Sequence, residues 1–271
     1  MHQIVINPKK SRLSINFREI WEYRELLIVL AQRDLKIRYA QTSLGLLWVL
    51  IQPILTLLIF IIVFGKAAKV NTASVPYSLF ALSGMCAWAY FSFIITQAGN
   101  SILGSQQLVT KIYFPRLILP LSKLLVGLVD FAVTFIFLLI MMAFMGVMPS
   151  HNIIWLPFFF FLIIFTGFAI SLWLNALVIR FRDLQIIIPF LVQIGLYASP
   201  VGYPSAMIPS QYLSFYYLNP MAGVIEGFRW SILGGAPPEI YAFYSFWIII
   251  LMFISGLYFF RTTERQLADI I

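Results

Sequence analysis

The chain has one cysteine, two histidines and ten acidic residues in 271 positions, and each scarcity removes a class of function. A lone thiol, Cys86, gives neither a disulfide framework within one chain nor a metal site. His2 precedes every apolar run and His151 falls in a short turn. Neither has a carboxylate or nucleophile beside it for acid–base or covalent chemistry. No glycine-rich phosphate loop ending in Gly-Lys-Ser/Thr occurs, so the chain does not hydrolyse a nucleotide by that route alone. Charged residues are only 10% of the total against 61% hydrophobic, with a mean hydropathy of +0.93. No soluble domain of ordinary size fits into what remains.

Six long apolar stretches are present instead: Leu44–Phe64, Tyr77–Gly99, Leu117–Met148, Ile154–Ile179, Ile186–Val201 and Tyr241–Phe260. A bilayer core of about 30 Å takes roughly 20 apolar residues in a helix. Most of the stretches meet that length, the third is long enough to tilt and the fifth is short. Backbone polar groups in lipid must be satisfied within the segment, and strand-like alternation is absent, so the expected form is helical. The fold class is an all-α membrane protein with six transmembrane helices. No internal repeat or low-complexity linker divides it, so residues 1–271 form one domain. Its parts are a flexible start (1–16), an interface helix (17–40), the six-span bundle (41–260) and a tail (261–271).

The net charge of +8 is unevenly placed. Lys9, Lys10, Arg12, Arg18, Arg24, Arg33, Lys36 and Arg38 precede the first span. Lys111, Arg116, Lys123, Arg180, Arg182, Arg261 and Arg265 follow at the same side, leaving only Lys66, Lys69 and Arg229 for the other. By the positive-inside rule both termini are cytoplasmic, and the basic charge is a topology signal rather than a nucleic-acid footprint. More than forty charged, polar and mixed residues precede the first apolar run, which is no pattern for a cleaved signal peptide.

Residues 17–40 predict an amphipathic helix lying on the membrane. Arg18, Glu19, Glu22, Glu25, Arg33 and Lys36 gather on one side, with Ile20, Tyr23, Leu27, Ile28, Leu30, Ala31 and Leu35 opposite. Arg24, Asp34 and Arg38 interrupt the apolar arc; either they snorkel or this helix meets protein. Pro53 removes a hydrogen bond from the first span and predicts a kink. Pro149–Asn152 is too short a loop to host a site, and Arg180–Gln185 is a compact charged turn. Gly202–Glu239 is external, rich in Pro, Gly, Tyr and Ser, and too broken for a span. Asn219-Pro220 reads as an N-cap and first helical position, and Gly234-Gly235 stops the helix near Leu233. This segment predicts re-entrant or interfacial helices on the outer side, which must pack on protein or line a watery cavity.

Asp130 lies well inside a span. An intramembrane carboxylate costs about 2.5–3.5 kcal/mol, and without a basic or His partner in the sequence around it, it fits a polar seam or a partner chain better than a proton relay. Glu226 and Arg229, spaced i, i+3, are expected to pair on one face of the external helix. Aromatic residues make up 17% of the chain and mostly suit lipid-facing or belt positions. The rings Phe158–Phe161 cover all sides of a helix and so cannot all face a pore. Trp88, Tyr90, Phe91 and Tyr197, beside small or polar neighbours, are candidates to line a channel, since such rings suit the C–H faces of a sugar.

Three stretches together resemble the membrane (permease) subunit of bacterial ABC exporters for cell-surface polysaccharides. They are RDLKIRYAQTSLGLLWVLIQP (33–53), RFRDL (180–184), and YASPVGYP (197–204) followed by LNPMAGVIEGFR (218–229). In this order, with six spans and cytoplasmic termini, the resemblance covers about residues 25–260. It implies export of lipid-linked polysaccharide, O-antigen first and then capsule or teichoic acid, across the cytoplasmic membrane through a homodimeric channel. It implies a nucleotide-binding ATPase in a separate chain, which would bind ATP and Mg, with no cofactor in this one. Arg33, Asp34, Lys36, Arg38, Arg180, Arg182 and Asp183 would contact that ATPase. Tyr203, Asn219, Glu226 and Arg229 would belong to an external gate. The alternative is a membrane-embedded enzyme acting on polyprenyl-linked sugars, which needs converging acids or metal ligands that the sequence does not supply. An ion-driven carrier would want partnered intramembrane charges or a repeated half.

Overall fold

The computed structural model describes residues 17–39, 45, 47–72 and 75–270, the last six of these by backbone alone. The polar start and residues 40–44 and 46 of the first resemblance stretch lie outside the described residues. Among the described residues there are helices and turns and no strand. Two helices precede the bundle, α1 (Phe17–Glu22) and α2 (Arg24–Tyr39). The interface helix expected over 17–40 loosens at Tyr23, whose N–H still donates to the Glu19 carbonyl and whose carbonyl still accepts from Leu27, while its hydroxyl donates to the carbonyl of Tyr113.

Five helical segments are long and apolar enough to cross a membrane: Leu47–Ala67, Tyr77–Ala98, Ile118–Phe144, His151–Arg180 and Ala242–Glu264. The first is α3 (Leu47–Phe60), with Pro53 inside it, continued by a π-helical turn at Ile61–Ala67. The second is α4 (Tyr77–Phe93), continued by a π-helical turn at Ile94–Ala98. Two short helices, α5 (Ser101–Gly104) and α6 (Gln106–Lys111), lead to α7 (Ile118–Phe144). A 3-10 turn at His151–Trp155 opens α8 (Leu156–Arg180). The fifth apolar stretch forms α9 (Leu184–Ala198), 15 residues long. At 1.5 Å per residue that is about 22 Å, less than the hydrocarbon thickness. Past α9 the chain makes 3-10 turns at Ser205–Met207 and Ser210–Tyr212, then α10 (Leu213–Tyr216), α11 (Pro220–Leu233) and α12 (Ala242–Ile270).

The expected stop and start signals of α11 are present. Asn219 accepts from the backbone N–H of Met221 at 3.0 Å, and Gly234 and Gly235 hold φ of +73° and +89°, a region open to glycine.

Burial is unequal. α4 lies at the centre: 83% of its apolar window is buried, against 11% for the first span. α11 is the second buried element, with Met221, Ala222, Val224, Ile225, Phe228 and Ile232 enclosed. It packs between α4, α8 and α12, so this part of the broken segment after α9 rests on protein. Gly227 permits this approach, since a Cβ there would lie 1.8 Å from the Phe159 ring. Phe159 is buried while Phe158 and Phe161 are exposed, which matches four rings pointing to all sides. The loosened end of α4 is satisfied by buried Asn175 of α8. Its amide donates to the Ala98 carbonyl at 2.6 Å and accepts from the Ile102 N–H at 3.2 Å, so a carbonyl at the end of the π turn and an N–H in the first turn of α5 both keep partners.

Candidate functional site

At the basic end of the bundle, α2 lies in a seam against α7. Ala31 and Leu35 pack with Val126 of α7 and Phe93 of α4, and Leu30 joins a second apolar cluster with Phe114, Leu117, Ile118, Ile179, Leu257 and Phe260. Ile28, expected on the same arc, is exposed. The charges that interrupted the arc have partners. Asp34 accepts from Lys123 Nζ at 2.6 Å and pairs with Arg33 at 2.9 Å. Arg38 lies 2.6 Å from Asp130 and 4.7 Å over the Phe93 ring. The Tyr39 hydroxyl donates to the other oxygen of Asp130. Burial first, then the carboxylate beside it, pushes the Tyr39 phenol up from its usual value, so it is a proton donor at any physiological pH. Arg24 instead stacks over Trp21 and donates to its carbonyl.

Asp130 therefore faces a polar seam within its own chain. The side chains of Asp34, Asp130 and Lys123 are 12%, 15% and 19% exposed, so solvent screens these pairs less than surface ones. Removing one partner would leave a charge near membrane depth. That costs about 2.5–3.5 kcal/mol for a carboxylate in a span. Lys123 and Tyr39 were not singled out by the sequence. The usable signal was Asp130 itself, because an acid inside a span demands a donor.

Of the α2 residues expected at an ATPase contact, Asp34 and Arg38 thus turn toward α7 while Arg33 and Lys36 lie on the exposed side. A cleft of about 690 Å³ separates α2 from α5 and α6, lined by Arg33, Ser105, Gln106, Gln107, Lys111 and Ile112. In the turn between α8 and α9, Arg180, Arg182 and Asp183 are all exposed, and the Arg180 guanidinium lies 5.8 Å from the Phe259 ring centroid.

The channel candidates separate. Trp88, Tyr90 and Phe91 are 7%, 1% and 4% exposed, and rings so enclosed offer no surface to a substrate in this conformation. Tyr90 stacks on Phe160 with centroids 5.7 Å apart and donates to the Leu124 carbonyl. Trp88 packs where Gly195 leaves room for it. In this conformation these three are core residues. The reason is that α4 is central, so small neighbours such as Ser92 mark close helix packing rather than an opening. Tyr197 alone is exposed, at 53%.

At the opposite end, Glu226 and Arg229 do not pair with each other as expected. Arg229 is buried; its Nε donates to the Phe80 carbonyl at 3.2 Å, and Nη2 donates to the carbonyls of Pro200 and Val201 at 2.6 and 3.1 Å. Burial brings its pKa down to about 10, so it stays charged at neutral pH. Gly84 leaves the space, since a Cβ there would sit 2.6 Å from Arg229 Nη2. Glu226 instead accepts from the Tyr217 hydroxyl and from the Ser205 N–H. Burial, then Glu226, raises the Tyr217 phenol. Tyr203 donates to the Tyr197 carbonyl and meets the Tyr216 hydroxyl, and Asn219 donates to Ser199. The four residues expected at an external gate thus tie the end of α9, the loop after it and α11 together.

A helical bundle with five described segments long and apolar enough to cross a membrane, a basic end and a charged seam defines a polytopic membrane protein. The ABC-2 type transporter family matches residues 25–233, and the chain belongs to it. It is similar to the O-antigen export system permease protein RfbA of Klebsiella pneumoniae, 28% identical over 248 residues that cover 91% of this chain and 95% of that protein. The protein of the same name from Myxococcus xanthus is 30% identical over 214 residues, 78% of this chain and 82% of that protein. The polysialic acid transport protein KpsM of Escherichia coli is 24% identical over 238 residues, 87% of this chain and 92% of that protein. The chain is therefore a transport permease and not an enzyme.

Proposed function

We propose that this chain is the permease subunit of an ATP-driven exporter that moves lipid-linked cell-surface polysaccharide, O-antigen first and capsule or teichoic acid next, across the cytoplasmic membrane. The observation that carries the reading is near end-to-end similarity, over 91% of the chain, to a permease named for O-antigen export. The sequence has no phosphate loop, which fits a separate ATPase chain binding ATP and Mg. Two copies of the permease would enclose the path. The exposed apolar flanks of α3 and α9, among them Leu55, Leu58, Ile186 and Phe190, are open to lipid or to a second copy. With both termini cytoplasmic, the ATPase would dock at the basic end, on Arg33, Lys36, the α2–α6 cleft and the Arg180–Asp183 turn. The external gate would be α11 with Tyr203, Asn219, Glu226 and Arg229, α11 being re-entrant from the outer side. Tyr197 would face the moving sugar chain.

The test is a pull-down of the tagged chain from solubilised native membranes, with ATP hydrolysis measured on the eluate. An ATP-binding subunit recovered in equal amount supports the reading, and a clean monomer with no such partner refutes it. The same assay on Arg182→Ala with Asp183→Ala checks the docking turn. Both residues are exposed, so the chain should reach the membrane at its normal level. Polymer export should nonetheless fall; normal export by this variant removes the turn from the docking surface.

A further inference from the structure

We propose that α2 and α7 move as one body during transport, with Lys123 and Asp130 the positioning residues through which movement of α2 enters the bundle. This rests on the reading above that an ATPase docks at the basic end. The two ion pairs, Asp34–Lys123 and Arg38–Asp130, advance in the same order along both helices, so α2 and α7 run in the same sense. They also alternate in sign. Lys123 and Asp130 are seven residues, about 10 Å, apart along α7, so a one-turn slide parts both pairs and a slide of about two turns in one direction would bring Arg38 to Lys123. Sliding it the other way would bring Asp34 toward Asp130. Either displaced register sets like charges together in a poorly screened seam, so the pairs select a single alignment. Apolar packing of Ala31 and Leu35 on Val126 and Phe93 alone would tolerate slippage.

The seam leads inward. Phe93, over which Arg38 lies, belongs to the central helix α4, and α7 packs along α4. Displacement of α2 therefore reaches the most buried helix directly. The turn between α8 and α9 is a second point of entry through α8, which packs on α4 and α11, whereas α9 buries only Ile188.

The experiment places Asp34→Cys and Lys123→Cys in a Cys86→Ala background, which leaves no other thiol, within the complete permease–ATPase complex in native membranes. A short, reducible bis-methanethiosulfonate reagent bridges the two positions. Without the bridge, polymer exported per ATP hydrolysed should fall by about tenfold, the scale of coupling between contacting charged groups. Bridging should restore that ratio, and reductant should abolish the gain. Three results overturn the proposal: no cross-link between the two positions, a normal ratio without the bridge, or a bridge that stops export. The polysaccharide reading fails separately, if deleting the gene leaves surface polymer intact. In that event the cross-link on a gel, and its effect on ATP hydrolysis by the complex, still read the seam.

Discussion

The guanidinium of Arg229 lies 3.6 Å from the centroid of the Phe80 ring while its Nε donates to the carbonyl of the same residue. One side chain on α11 thereby closes on α4 twice, and its Nη2 reaches the segment that follows α9. The three carbonyls that Arg229 serves belong to buried residues, Phe80, Pro200 and Val201.

Arg229→Ala should destabilise the purified protein by about 2–4 kcal/mol, because three buried acceptors lose a charged donor. Arg229→Lys should recover only part, since an ammonium cannot reproduce the planar fork. The readout is thermal unfolding followed by labelling of Cys86, which is buried and reacts only when the bundle opens.

Gly227→Ala is expected to be severe for a one-carbon change. The added carbon would overlap the Phe159 ring, and overpacking of this kind costs about 1–3 kcal/mol. Phe159→Leu in the same chain should relieve most of it, measured by the same unfolding assay; equal loss in both variants would point away from this contact.

Arg38→Leu should cost about 2–3 kcal/mol by stranding Asp130, whose side chain is 15% exposed. Asp130→Leu should cost less, because the Arg38 side chain is 39% exposed and stays solvated, while the double variant should be no worse than Arg38→Leu alone. Its unfolding temperature should be near normal while export stays low. Additive destabilisation in the double variant would show that the two side chains act independently.

Tyr90→Ala and Tyr197→Ala should separate core from path. The first removes a fully enclosed ring and should cost about 3–5 kcal/mol. The second removes an exposed ring and should leave unfolding unchanged within about 0.5 kcal/mol, while lowering the export rate. The reverse ranking would return Tyr90 to the channel.

Hydropathy made the long spans legible, and local chemistry made the ends of α11 legible, since Asn219, Pro220 and Gly234 act on their own neighbours. The π turns at Ile61–Ala67 and Ile94–Ala98 left no such mark, being settled by packing and, in the second, by Asn175 from another helix. The seam was half visible. Asp34 and Arg38 stood out as charges on an apolar arc, and Asp130 as an acid inside a span. Their pairing is a fact of three dimensions, with α2 and α7 separated by two spans of sequence. The burial of the α4 rings was not legible, because a span packed on all sides carries the same small and polar neighbours as one beside water.

That central position bears on how the protein is made. α4 leaves the ribosome as the second span, carrying Ser78, Ser83, Gly84 and Ser92, with no lipid-facing side to favour its release into the bilayer. Its final surroundings include α7, α8 and α11, all synthesised later, and the Arg229 clasp on Phe80 comes last among them. Early in biogenesis α4 must be sheltered by the insertion machinery or by a temporary neighbour, and a chain truncated before α11 would expose it to quality control.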